Sequence, residues 1–476
     1  MRKLHYAIAV LFSFVFTGII CALCFYAKDI GFFYDDWLAL VLSRNMPSAI
    51  YAFTTDQMLG TFFRPMGVLW WWILAGLGDP APQSRHIISL ILHAAGALTI
   101  GLSIGFWRRD YRLGIAGTLL WLTSPVGLSC VSWLSCSFDL LAILFSALCI
   151  LFAILYLRHE KGAAFFISAL GFALAAMWSK ESAYLLPFVA LPILSTCNEG
   201  NREKMRLLAT GFATILALVF LHRRLCLGLW FGGYNANDPT VGVSNFLPDL
   251  IQVFGQQAPG IFFRIPLIVF GLLFLFLFFG AKGRKYLYAS MTATVFACAP
   301  LILVFQSPML LNLMPLRYFA YISFALVFLL CHLADFEGKR KFIGYFLLAL
   351  FIGSGLWIGL NSLKFAANTS RIEMGQIQSI LRHAKLAAKQ ERKIQIEPWR
   401  SVIGMDAAVK ALDESLVGKV VVLACGAPTQ VVTTPDMADE LSLPWSTKFK
   451  NNPSRAYGLV WGEVYLPEDA CRKTSP

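Results

Sequence analysis

Charge is scarce in this chain. Asp, Glu, Lys and Arg make up 14% of its 476 residues, where ordinary soluble domains carry about 25%. Together with a hydrophobic fraction of 58%, that scarcity excludes a water-soluble globular protein of this length, because too little polar surface is available to cover it. No self-similar period runs through the sequence, which excludes stacked helical arrays. The eleven cysteines lie mostly inside apolar runs, and Cys21 and Cys24 share one run with no second pair, so packing is their expected role. No small-residue cleavage site follows the first apolar run, Leu4 to Phe25, so that run is expected to stay in place as a span. Beyond Asn361 no stretch is apolar and long enough to cross a bilayer.

What is present is a series of apolar runs of roughly 20 residues, the length that crosses about 30 Å of hydrocarbon. The net charge of +13 gathers in short loops between them, a topogenic pattern and not a nucleic-acid footprint. Threading the runs so that basic clusters share one side puts the N-terminus in the cytoplasm and gives about eleven spans, an all-α polytopic fold. The clusters at Arg108 to Arg112, Arg158 to Lys161, Arg202 to Arg206, Lys282 to Lys285 and Lys339 to Lys341 then lie on the inner face. Residues 1–361 form a membrane body with an outer segment at 26–84 and outer turns near Ser124 to Ser137 and Ser179 to Ser182. Residues 362–476 form a small extracytoplasmic domain of α/β or α+β type, with an amphipathic helix at 370–393 and a buried strand from Lys419 to Cys425. Cys425 and Cys471 could pair there in an oxidising compartment.

The outer segment carries the most chemistry. Asp35 and Asp36 adjoin Phe32, Phe33, Tyr34 and Trp37 near the membrane surface. Two neighbouring carboxylates in a low-dielectric rim repel each other, which makes one of them a better base. The stretch WLALVLSRNMPSAIYAF that follows has the apolar spacing of a helix lying in the interface plane. The plainer alternative is that Asp35 or Asp36 caps that helix. Arg64 and the pair Arg85 and His86 lie near the same surface, where a guanidinium can fork onto a phosphate or simply snorkel. His93 falls inside the second apolar run, as a functional group or a hydrogen-bonded structural histidine. Asp139 opens a span in SCSFDLLA, and Lys180 and Glu181 occupy a short turn in WSKESAYLLP. The two read either as a Lys–Glu structural pair or as a phosphate-binding lysine beside a substrate-orienting acid. Arg317 and Tyr318 begin another span in PLRYFAYIS. His93 apart, these groups map to the outer boundary, as a reaction on an anionic, membrane-borne substrate requires.

The order of these motifs, an acidic pair soon after the first span, then FRPM, SRHIISLILH, CVSWLSCSFDLLA, WSKESAYLLP and PLRYFAYIS, resembles the GT-C superfamily of glycosyltransferases. Within it the likeness is to the membrane half of the tetratricopeptide-containing O-mannosyltransferase group and its short bacterial relatives. It covers roughly the first 335 residues; the repeat array of that group is missing, and the likeness does not extend to 364–476. The resemblance implies a polyprenyl-phosphate sugar as donor, a glycan, lipid or protein as acceptor, and a catalytic carboxylate from the Asp35–Asp36 pair. Arg64, Arg85, Lys180 and Arg317 would balance the phosphate of the departing lipid. Asp35 and Asp36 could hold a divalent ion, but two carboxylates are too few to predict one, so no cofactor is expected.

A transporter and an O-antigen polymerase or ligase are the rival readings. Charges at the boundary and not at the midplane argue against the first, and the early acidic pair with the Lys180–Glu181 turn argues against the second. The short chain and plain positive-inside loops fit a bacterial inner membrane. The threading is tested by single-cysteine labelling of the cell: positions near Asn235 and Asn451 should label from outside, and positions near Arg109, Arg202 and Arg284 only after permeabilisation. Labelling of Asn451 from the cytoplasm would overturn the parity.

Overall fold

The structure, a computed structural model, describes residues 2–32, 36–54, 62–78, 81–159, 162–197, 202–228, 230, 284–297, 319–335, 340–389, 394–396, 405–416, 420–422, 429–433 and 460–464. In chain order its helices are α1 (Arg2–Ala27), α2 (Asp36–Asn45), α3 (Tyr51–Thr54), α4 (Pro65–Gly76), α5 (Pro82–Arg108), α6 (Tyr111–Leu122), α7 (Pro125–Ser132) and α8 (Ser137–Arg158). There follow α9 (Ala163–Ser179), α10 (Leu186–Ser195), α11 (Arg202–Leu227), α12 (Arg284–Ala297), α13 (Ala320–Leu330), α14 (Arg340–Ala388) and α15 (Met405–Leu412). Four short strands complete the set: β1 (Ile394–Ile396), β2 (Val420–Val422), β3 (Thr429–Thr433) and β4 (Val460–Val464). The chain divides into two compact units, one of Met1–Cys24, Ser89–Val131 and Cys136–Ser362, the other of Phe25–Ile88, Ser132–Ser135 and Leu363–Pro476.

The described part of the first unit is helical. Among the described residues of the chain, five helices are long and apolar enough to cross a membrane: α1, α5, α8 with its preceding turn, α11 and α14. A sixth span results if α6 and α7, bent by 45° at Pro125, count as one. Helices α4, α9, α10 and α13 are apolar but shorter. The windows of α5 and α8 are more than half buried, whereas those of α1, α11 and α14 turn most of their apolar surface outward. Phe14, Phe342 and Trp357 are exposed accordingly, as lipid-facing side chains should be.

Rings and small residues hold this unit together. Phe145 and Phe152 of α8 stack on Phe172 of α9, and Phe152 also meets Phe165. Where α5 meets α6, glycines replace rings: a Cβ on Gly101 would lie 1.8 Å from Thr118 Oγ1 and 2.6 Å from the Gly114 carbonyl. Small residues let helix backbones approach closely where lipid provides no hydrophobic drive to associate. Near the C-terminal end of α5, Trp107 packs on Tyr286, Phe328 and His332 and donates to Thr196 Oγ1 at 2.7 Å. Arg108 completes the clamp, donating to Asp335 at 2.6 Å and hydrogen-bonding His332 at 2.7 Å.

In the second unit, α2, α3 and α4 pack around Met46, Ala52 and Val68, with Trp72 Nε1 donating to the Met46 carbonyl. Arg44 donates to the Ala411 carbonyl of α15, and Lys385 of α14 pairs with Asp413 at 2.8 Å. Strand β1 pairs with β2 in parallel, and β3 with β4 antiparallel.

Three expectations change. The stretch WLALVLSRNMPSAIYAF is not one helix: α2 ends at Asn45 and α3 starts at Tyr51. Pro47 has no N–H and disfavours helical backbone at Met46. Nor is α2 amphipathic in the interface sense, because Asp36 through Ser43 are all buried. The helix expected at 370–393 is the continuation of α14, a single helix of 49 residues, about 73 Å long at 1.5 Å per residue. No proline interrupts Arg340–Ala388 to separate a span from a following helix. Of the strand expected from Lys419 to Cys425, Val420–Val422 is described. Cys425 and Cys471 lie outside the described residues.

The α5–α6 approach is directly testable. Gly101→Leu should destabilise the protein by at least about 2 kcal/mol, because both obstructing atoms belong to a facing helix. Gly18→Leu on α1, where nothing lies within 4 Å, should leave thermal unfolding in detergent nearly unchanged. Equal melting temperatures for the two variants would refute the close approach.

Candidate functional site

Asp36 is the first residue of α2 and is fully buried. Its Oδ1 accepts the backbone N–H of Ser135 at 2.7 Å and the Ser135 hydroxyl at 3.0 Å. Asp35 lies outside the described residues. A carboxylate in the first helical turn also gains from the helix dipole. The local sequence explains the placement. Trp37 next to it is buried against Phe32 at 5.0 Å between ring centroids, which draws the helix start into the protein.

The same unit holds the arginines. Arg85 is buried, with its guanidinium over Trp71 at 4.8 Å and Phe32 at 5.9 Å from the ring centroids. Phe32 therefore touches both Trp37 and Arg85. His86 is buried beside it, with Nε2 3.3 Å from the Gly31 carbonyl, while the Gly31 N–H donates to Ser370 Oγ at 2.9 Å. His86 thus holds the chain just ahead of the acidic pair. Arg64 precedes α4 and lies over the Phe62 ring at 4.4 Å. It is half-buried where Arg85 is fully enclosed.

In the first unit a second cluster forms around Asp139, in the first turn of α8. Lys180 ends α9 with extended backbone and forms a short ion pair with Asp139 Oδ2. Glu181 instead faces Arg223 of α11 at 3.7 Å. The Lys–Glu structural pair read from the sequence is replaced by two pairs that tie α8 to α9 and the following turn to α11. Adjacent residues at a helix end point in different directions, which explains the exchange. Beside Asp139, Cys130 and Cys136 are buried, and the ligand atoms of all three lie within 4.8 Å of one another.

His93 takes the structural role. Its Nε2 is 3.1 Å from the Leu122 carbonyl, its ring meets Trp121, and it fills the space beside Gly127, where a Cβ would come within 2.4 Å. Arg317 and Tyr318 lie outside the described residues. Sequence reading missed Ser135, Arg223, Cys130 and Cys136. The run SWLSCSFD gave the only signal, small polar residues packed around one acid.

No known family's sequence profile matches the chain, and no curated protein matches it. Among solved structures it is similar to ArnT from Cupriavidus metallidurans bound to undecaprenyl phosphate, with a TM-score of 0.48 and 13% identity over 91% of this chain and 94% of that one. It is likewise similar to ArnT from Cupriavidus metallidurans in the apo state, with a TM-score of 0.44 and 14% identity over 92% and 95% of the two chains. At TM-scores below 0.5 neither likeness establishes a shared fold.

The Asp139–Lys180 pair makes a clear prediction. Lys180→Met leaves a buried carboxylate without its cation and should cost about 3–5 kcal/mol, whereas Lys180→Met with Asp139→Leu should recover most of that loss. Thermal unfolding of both variants in one detergent decides it. A double variant as unstable as the single one would show that the pair is not the source of the loss.

Proposed function

We propose that the chain is an integral-membrane glycosyltransferase of the bacterial inner membrane, moving a sugar from a polyprenyl-phosphate donor to an acceptor hydroxyl on the periplasmic side. The observation that carries this reading is Asp36, a buried carboxylate fixed by Ser135 in the unit that also encloses the Arg85 guanidinium. The motif order supplies the substrate class.

In the proposed reaction the acceptor oxygen attacks the anomeric carbon as its proton passes to a carboxylate of the Asp35–Asp36 pair. The bond from the anomeric carbon to the phosphate oxygen breaks, and the electron pair leaves with the polyprenyl phosphate. That group departs as an anion and needs cations, not a proton donor. Arg85 suits this task because its aromatic neighbours hold the planar fork in one orientation. Arg64 is the more accessible partner for the same phosphate. Arg317 and Tyr318 take their place in the scheme from the motif order alone. Lys180 is the weaker assignment, since its ammonium is already committed to Asp139. A single base with no second nucleophile gives direct displacement and inversion of the anomeric centre. Acceptors of this class are glycans, lipids or proteins.

Asp36→Asn keeps the shape of the side chain and an acceptor for Ser135 while removing its basicity. Sugar transfer should fall at least ~10²-fold with insertion and folding retained. Arg85→Lys keeps the charge but loses the fork, and should weaken donor use more than acceptor use. Transfer from a monosaccharide-phosphate lipid by purified protein is the assay. Wild-type rates in both Asp35→Asn and Asp36→Asn would place the base elsewhere.

A further inference from the structure

We propose that Cys130, Cys136 and Asp139 form a buried binding site for a thiophilic divalent cation of the zinc class. Cys130 comes from α7, Cys136 from the tight turn Leu134–Cys136, and Asp139 from the first turn of α8. All three are at most 4% exposed. Their ligand atoms lie within 4.8 Å of one another. Around a tetrahedral zinc, bonds of about 2.0–2.3 Å put neighbouring donors roughly 3.5–3.8 Å apart, so only small side-chain movements are needed to close the set. Two sulfurs and one carboxylate oxygen are three protein ligands, and the fourth position remains for water or another oxygen ligand.

Charge selects the ion. Without metal, two neutral thiols and the Asp139–Lys180 ion pair sum to zero. With a divalent ion, two thiolates, Asp139 and Lys180 again sum to zero, because loading exchanges one divalent ion for two thiol protons. A monovalent soft ion such as Cu(I) would leave a net negative charge, which is costly in a buried site. Calcium and magnesium prefer oxygen ligands in larger number, and sulfur suits neither. Lys180 then serves as the outer partner that orients the ligating carboxylate. The ligands sit on three successive elements, α7, the tight turn and the start of α8, so the ion's role is to fix how these elements join. The plain alternative is two buried thiols packed as small apolar side chains.

The test needs no glycosyl-transfer assay and is independent of the proposed function. Full-length protein is expressed in cobalt-supplemented medium, so that metal enters during folding, and purified in detergent. Expected are about one cobalt per chain, a thiolate-to-cobalt charge-transfer band in the near ultraviolet and tetrahedral d–d bands. Zinc should displace the cobalt and remove the bands. Cys130→Ser and Cys136→Ser should each abolish the charge-transfer band or greatly weaken it, while Cys149→Ser, a buried cysteine of α8 outside the trio, should retain it. Folded wild-type protein with no bound metal and no charge-transfer band overturns the site without recourse to any variant. So does a band of wild-type intensity in the Cys130→Ser and Cys136→Ser proteins.

Discussion

A charge buried in a helix bundle that hydrocarbon surrounds must be matched where it stands, because neither water nor lipid will solvate it. That constraint orders much of the described membrane body. Asp139 is matched by Lys180, Glu181 by Arg223, and Arg108 by Asp335 with His332 between them. Each match joins separate elements: α8 with α9, the turn after α9 with α11, and α5 with the end of α13. Helix association in lipid lacks a hydrophobic drive, so such pairs, with close contacts of the Gly101 kind, specify which helices are neighbours.

The same constraint limits what a paired acid can do. A carboxylate balanced by a fixed buried cation gains little from accepting a proton, since the cation would then be stranded. Asp139 and Glu181 stand in that position. Asp36 accepts the amide and hydroxyl of Ser135, 99 residues away.

How far the sequence could be read follows from what each feature depends on. Spans such as α1, α5 and α8 were legible because their signal is local, a run of apolar residues of the right length. The hairpin turn at Ser179 was legible for the same reason. The break between α2 and α3 was written in Pro47 but outweighed by apolar spacing, which reports buried and interfacial helices alike. Partners were not legible. Ser135 lies 99 residues from Asp36, and nothing near Glu181 in the chain marks Arg223 as its counter-ion. Lys180 and Glu181 look paired because they are adjacent, whereas adjacent residues on a helical turn point apart.

The aromatic residues around the outer segment carry a further consequence. In the sequence, Phe32 and Trp37 flank the acidic pair, where aromatic side chains commonly anchor at the headgroup level. In the structure Trp37 and Trp71 are buried, Phe32 meets both Trp37 and Arg85, and Arg85 lies over Trp71. A guanidinium enclosed by ring faces keeps its charge and loses competing water, which strengthens its attraction for an incoming phosphate. An exposed arginine at the same boundary would bind any anionic headgroup of the bilayer about equally well. In the proposed reaction, enclosure would restrict Arg85 to ligands that enter the protein, as discrimination of one lipid phosphate from the many around it requires.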